Sequence, residues 1–321
     1  MSGELPPTPL DELSAIGSRL LAQMPARDLL TMLFPPALAR DVLRAMLGES
    51  KVEDAGFDPA LPEKAFADAV LDLGRWLGKY WFHATIEGLE RFPVEGPALV
   101  VANHNAGIMP LDAIIIMAAI RDRHGEGRVV HPLAHDFAYA ALRVRRHARR
   151  LGILRASPKN AVAALAAGRI VLVYPGGDRE AFRPFAERGK ISLGNRKGFA
   201  RLALETGAPI IPMVTAGLHE AFVVLSSGRR LARLLRTKEI LRTETVPVAL
   251  ALPWGIIPAV LPYIPLPTAV DIRFGEPIRL AGAADDPATL DAGYRTVETV
   301  MQSMMDELSE GRVPWLGRGK P

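Results

Sequence analysis

A histidine where an apolar run ends, followed by a carboxylate where the next one begins, suits general-base chemistry. The run Leu99–Ala102 leads into Asn103, His104 and Asn105, and apolar character returns at Leu111 with Asp112 beside it. A neutral imidazole held there takes a proton from a hydroxyl while that oxygen attacks a carbonyl, and a carboxylate fixes the ring tautomer and stabilises the imidazolium. Asp112 has a plainer alternative role, because any acidic residue in a first helical turn offsets the helix dipole. A second polar stretch, Tyr174-Pro175-Gly176-Gly177-Asp178-Arg179-Glu180, pairs two glycines with charged groups. Adjacent glycines let backbone N–H groups approach an oxyanion closely, and Arg179 offers a fork for phosphate or carboxylate. The same stretch also reads as a turn between a strand and a helix. Glu180 is a second carboxylate available to the imidazole.

Other chemistries are disfavoured by what the chain lacks. It has no GxSxG nucleophile elbow, no GxxxxGK[ST] phosphate loop and no GxGxxG dinucleotide fingerprint. It has no cysteine, which excludes disulfides, thiolate metal sites and a cysteine nucleophile. His131 and His135 are spaced i, i+4 with Pro132 between them and no evident third ligand, so no metal site is expected.

Apolar residues make up 49% of the 321, and the mean hydropathy is +0.14, yet no long apolar stretch is free of helix breakers. An oily chain without a span points to a lipid or membrane surface. The net charge is only +4, with arginine concentrated in Arg143–Arg150 and Arg229–Arg242. The first run suits an anionic acyl donor or lipid headgroups, or is a solvated face; the second reads as a basic amphipathic helix on anionic lipid or as an ordinary surface helix; and no nucleic-acid partner is expected. The N-terminal MSGELPPTPLDEL lacks the charged and apolar regions of a secretory signal, so a cytoplasmic, peripherally membrane-associated protein is expected.

The elements that position these groups alternate. Residues 1–61 read as a helical leader punctuated by prolines, and the main domain, 62–321, begins with an amphipathic run at Pro62–Phe82. Strands are expected at Leu99–Ala102, Arg128–Pro132, Ile170–Tyr174, Ile210–Val214 and Ala269–Phe274. Helices are expected at Leu111–Ile120, Phe137–Arg146, Pro158–Ala167, Gly198–Thr206 and Asp291–Leu308. This predicts an α/β fold, a mostly parallel sheet with helices on both faces, whose site lies at strand carboxyl ends. Residues 246–270 carry six prolines and no charge, and read as an irregular, membrane-facing apolar surface.

Taken in order, GLERFPVEGPALVVANHNAGIMPLDA, LGILRASPKNAVAALAAGRIVLVYPGGDREAFRP, GFARLALETGAPIIPMVTAG and FGEPI resemble the glycerolipid acyltransferase superfamily. The similarity is strongest to its monoacylglycerol and diacylglycerol branch, and spans roughly residues 80 to 280. It implies a glycerolipid-acyltransferase-like fold and an O-acyltransferase that moves a fatty acyl group from acyl-CoA or acyl carrier protein, its co-substrate, to a glycerolipid hydroxyl. No further cofactor or metal is implied. His104 would be the base and Asp112 its orienter, with Gly176, Gly177, Arg179, Glu180 and Arg155 binding substrate. Two departures stand out: seven residues separate His104 from Asp112 where the family usually has four, and Gly176 replaces a motif glutamate, as in the neutral-glyceride branch. A non-catalytic lipid-binding protein on this fold, or a thioesterase with water as acceptor, are the competing functions.

Overall fold

The computed structural model describes residues 6–26, 28, 56–105, 107, 111–134, 142–234, 246–253, 255–258 and 263–319. Its strands are β1 (Thr85–Glu87), β2 (Ala98–Ala102), β3 (Val130–Ala134), β4 (Leu154–Arg155), β5 (Ile170–Val173), β6 (Ile210–Ala216), β7 (Val223–Ser226), β8 (Val248–Ala251), β9 (Gly255–Pro258), β10 (Asp271–Phe274), β11 (Arg312–Val313) and β12 (Gly317–Arg318). The helices used below are α1 (Pro9–Gln23), α2 (Lys64–Trp76), α3 (Leu111–His124), α4 (Leu142–Arg150), α5 (Pro158–Ala166), α6 (Gly177–Ala181), α7 (Gly198–Thr206), α8 (Leu218–Ala221), α9 (Arg229–Leu234) and α10 (Pro287–Ser309).

Among the described residues, seven strands form one sheet in the order β1-β10-β6-β2-β5-β3-β4. It is parallel except where β10 pairs antiparallel with β6, so the expected mostly parallel α/β sheet is present. The central strand β2 is buried at every position, and that is why its sequence, ALVVA, is apolar throughout instead of alternating. Val100 packs with Ile116 and Ile120 of α3 and Phe66 and Leu71 of α2 on one face. Leu99 and Val101 pack with Leu165 of α5, Phe199 of α7 and Val297 and Met301 of α10 on the other. Helix boundaries follow local chemistry. Ser157 caps α5 ahead of Pro158, Asp286 caps α10 ahead of Pro287, and α7 ends at the left-handed Gly207.

Three expectations change. The strand expected at Arg128–Pro132 lies two residues later as β3, because the Arg128 and Val129 backbone N–H groups are held in the preceding turn by the carbonyls of Gly125 and Gly127. The helix expected at Phe137–Arg146 is present as α4, with residues 135–141 outside the described ones. The segment 246–270 is not irregular throughout. It supplies the hairpin β8–β9, which joins β7 in a three-stranded antiparallel sheet. Pro247, Pro253 and Pro258 stand before, between and at the end of its strands, where their missing N–H groups break no central ladder bond. Of the leader, α1 packs on α2, with Trp76 Nε1 donating to Pro9 O at 2.8 Å. Residues 27 and 29–55 of the expected helical leader lie outside the described residues.

Candidate active site

His104 follows the carboxyl end of β2, between two asparagines that anchor the chain. Asn103 Oδ1 accepts from the Thr215 N–H at 2.8 Å and its Nδ2 donates to Thr215 O at 3.1 Å. That pair extends the β2–β6 pairing by one residue through a side chain. Asn105 Nδ2 donates to the same carbonyl at 3.1 Å. Both asparagines are buried, and His104 between them is half-buried.

The His104 ring is oriented by backbone. Its Nδ1 lies 3.2 Å from Asn105 O. A carbonyl only accepts, so the proton sits on Nδ1 and the Nε2 lone pair is left as the base. Burial, helped by the Arg183 charge, pushes the imidazole down to about 4. It is therefore neutral, and able to accept a proton, at any pH above that value.

The expected bond from Asp112 to the imidazole is not what the structure shows. Asp112 is 1% exposed and accepts from the Tyr174 hydroxyl at 3.1 Å on one oxygen and from Thr215 Oγ1 at 3.3 Å on the other. Tyr174 stands between the two groups, with its ring centroid 4.9 Å from that of His104. Burial pushes Asp112 up to about 6 against these two donors. Pairing explains the intervention: Val101 is opposite Val173, so Tyr174, the next residue, emerges beside the end of β2.

Glu180 contacts the His104 backbone. Its Oε2 accepts the His104 backbone N–H at 2.9 Å and its Oε1 the Ser192 N–H at 3.0 Å, with Arg183 Nη1 at 3.5 Å. It is fully buried, and burial pushes it up to about 7 although Arg183 pulls the other way. Gly176 makes room for this carboxylate, since a Cβ there would collide with Glu180 Oε2 and with the Ser192 carbonyl. Gly177, at φ +54°, lies under the Arg196 guanidinium, which donates to Pro175 O at 3.1 Å and Asp178 Oδ1 at 3.2 Å.

Arg183, which the sequence reading missed, ties the centre together. Its Nη1 donates to His104 O and Glu180 O, each at 3.2 Å. Its Nη2 donates to Asn105 Oδ1 at 2.9 Å and Arg188 O at 3.2 Å. The buried His219, also missed, places Nδ1 3.1 Å from Asn105 Oδ1 and Nε2 3.1 Å from Arg183 O. Three of the four Arg183 acceptors are backbone carbonyls, which leave no signature in a sequence, but the buried Arg in EAFRP was a signal available to be weighed.

Two expected residues lie apart from this cluster. Arg179 is exposed on α6. Arg155 ends β4, separated from β2 by β5 and β3, so it shares the carboxyl edge of the sheet about 14 Å away. His131 is a fully buried residue whose Nδ1 lies 2.7 Å from Gly152 O, and His135 is outside the described residues. Among the described residues no cluster of three His, Cys, Asp or Glu side chains could hold a metal.

A base freed on one ring nitrogen, beside a glycine turn at the carboxyl edge of an α/β sheet, invites comparison with known proteins. The sequence model of the family described as Acyltransferase matches residues 83–216, a span containing His104, Asp112, Glu180 and Arg183. An uncharacterised protein of Mycobacterium tuberculosis is 33% identical over 287 residues, covering 88% of this chain and 76% of that one. The chain belongs to the acyltransferase family. Within it, the glycerolipid acyltransferase superfamily is the one its blocks resemble and its fold matches. A bovine protein named "DGAT1/2-independent enzyme synthesizing storage lipids" is 34% identical over 158 residues, 49% of this chain and 46% of that protein. The match therefore spans about half of either protein. The crystal structure of the 1-acyl-sn-glycerophosphate acyltransferase PlsC from Thermotoga maritima superposes with a TM-score of 0.50 at 17% identity, covering 94% of this acyltransferase and 98% of PlsC. At that identity the likeness concerns the fold.

Proposed function

We propose that this acyltransferase moves a fatty acyl group from a thioester donor, acyl-CoA or acyl carrier protein, to a glycerolipid hydroxyl, with His104 as general base. The observation that carries the proposal is the Nδ1 bond to Asn105 O, which leaves Nε2 lone-paired and uncharged at the end of β2. Nε2 takes the acceptor hydroxyl proton as that oxygen attacks the thioester carbonyl. The tetrahedral intermediate collapses, the carbon–sulfur bond breaks, and the imidazolium returns its proton to the leaving thiolate. No acyl-enzyme forms and no cofactor beyond the donor is required. Asp112 acts through Tyr174 and Thr215, fixing the wall against which His104 stands, and Glu180 and Arg183 hold the backbone on either side of the base. Gly176 and Gly177 shape the turn that holds Glu180 under His104, and Arg179 and Arg155, both outside this cluster, are left as candidates for the far end of a long substrate. The storage-lipid name carried by the bovine relative, together with Gly176 in place of a motif glutamate, supports a mono- or diacylglycerol acceptor. The same proposal places the reaction at the cytoplasmic surface of a membrane, in keeping with an apolar chain that carries no long uninterrupted apolar stretch.

One observation favours a second reading. The lack of a direct bond between His104 and Asp112 suits a non-catalytic lipid-binding protein on the same fold. Both readings are tested with one labelled long-chain acyl-CoA, a panel of glycerolipid alcohols and product analysis by mass. Acyl transfer that depends on His104 sustains the proposal. Release of free fatty acid regardless of acceptor would identify a thioesterase, and no turnover of the donor at all would favour the binding protein.

A further inference from the structure

The small sheet β7–β8–β9 has its polarity inverted. In an antiparallel sheet lying on a domain, one face packs on the core and the other carries polar groups to water. The inner face here is conventional: Val224, opposite Ala249, and Ala249, opposite Ile257, are buried. The outer face is aliphatic as well. Leu250 and Ile256 are cross-strand partners at 44% and 69% exposure, and Leu252 and Ile264, joined by a bridge, are 49% and 51% exposed. Leu225 adds 50% on β7. No acidic residue occurs in 223–234 or 246–264. Strand β7 is followed by α9, where Arg229, Arg230 and Arg233 are all exposed together with Leu234.

We propose that the outer face of β7–β8–β9, flanked by the arginines of α9, docks this protein on the surface of an anionic lipid bilayer. Aliphatic side chains presented in one plane enter the boundary between headgroups and acyl chains, and nearby arginines meet anionic headgroups. The charge pattern selects this occupant, since a cationic rim with no acidic counterpart among the described residues of the patch opposes a second copy of itself and complements a negative surface. No described helix is long and apolar enough to cross a membrane. The inner face of the sheet leads back to the base. Val224, Ala249 and Ile257 share a core with Phe182 and Phe222, and a Cβ on Gly107, three residues after His104, would collide with the Phe222 ring. A bilayer on the outer face is thus one sheet away from the loop that carries His104. The surface deepens the proposed reaction by giving a lipid acceptor its source, and its test reads binding alone, so either idea can fail while the other stands.

The experiment is co-sedimentation of the full chain with vesicles of phosphatidylcholine, with and without a phosphatidylglycerol fraction. The triple variant Arg229→Gln, Arg230→Gln, Arg233→Gln is expected to partition about a hundredfold less onto anionic vesicles, about fivefold per arginine, and unchanged onto neutral ones. The double variant Leu250→Glu, Ile256→Glu is expected to lose binding to both. If the double variant does not fold, as judged by thermal melting, Leu225→Gln takes its place, with a severalfold loss expected. Parental partitioning by both the arginine variant and the apolar variant overturns the proposal. So does a parental dimer, seen by light scattering, that the apolar variant dissociates without changing vesicle binding, because the face would then be an interface between copies.

Discussion

Replacing Asp112 with Asn separates two jobs that a carboxylate near a catalytic histidine can do. Asp112 is 1% exposed and lies between two hydroxyls, Tyr174 at 3.1 Å and Thr215 at 3.3 Å. Burial raises it from 3.8 to about 6. With its folded value above its unfolded one, the group contributes stability that is fully present below pH 3.8 and lost as the pH rises through about 6. A shift of roughly two units corresponds to about 3 kcal/mol lost by pH 8. Asn is neutral at every pH, and both neighbouring hydroxyls can turn to donate to its oxygen or accept from its nitrogen. Asp112→Asn is therefore expected to match the parent near pH 4 and to exceed it at pH 8 by about 1–3 kcal/mol, the lower end reflecting the cost of burying an amide. Urea denaturation at the two pH values measures this through a change in midpoint at constant slope. On activity, a triad-type orienter replaced by its amide costs about 10⁴ in kcat. Here Asn105 O orients the ring, so a loss below about a hundredfold is expected. A variant destabilised by more than about 2 kcal/mol at pH 8, or slowed by the full triad factor, would return Asp112 to the imidazole and refute the geometry.

Gly176→Ala forces a methyl against Glu180 and the Ser192 carbonyl, and backbone cannot move as a side-chain tip can; a loss of about 1–3 kcal/mol is expected in thermal or chemical melts. Arg183→Lys keeps the charge but replaces a fork serving four acceptors by a single ammonium, so a loss of about 2 kcal/mol and a fall in kcat are expected, whereas parental stability would show that charge alone suffices. With His104 pushed down to about 4, the base is deprotonated above that value, so kcat/KM should be flat from about pH 6 to 8 and fall only as the pH drops through about 4. An acid limb centred near 6.5 would mean a solvated imidazole or a different base.

The sequence carried the parts of this site that lie along one segment. An apolar run too short for a helix and ended by Asn-His-Asn located β2 and the position of His104 at its end, because a strand buried on both faces must be apolar and must stop where polar groups begin. The helix start at Pro158 was legible, whereas α10 begins at Pro287, ahead of the expected Asp291, because Asp286 caps it there. Partnerships across strands were not. Asp112 follows His104 in the chain, yet the pairing of β2 with β5 puts Tyr174 between them, and pairing register is a property of two strands that neither one announces. The role of Gly176 emerged as space for Glu180, four residues on, and not as an anion-binding amide. The prolines of 246–270 suggested irregular chain, but spaced at strand ends they permit a hairpin.

The central claim is that His104 performs the chemistry. Steady-state transfer of a labelled acyl group from acyl-CoA to monoacylglycerol, measured for the parent and His104→Ala with folding verified by thermal melting, tests it most directly. Loss of a general base is expected to slow transfer by about 10²- to 10⁴-fold with the donor still bound. Transfer by a folded His104→Ala protein at the parental rate would contradict the account.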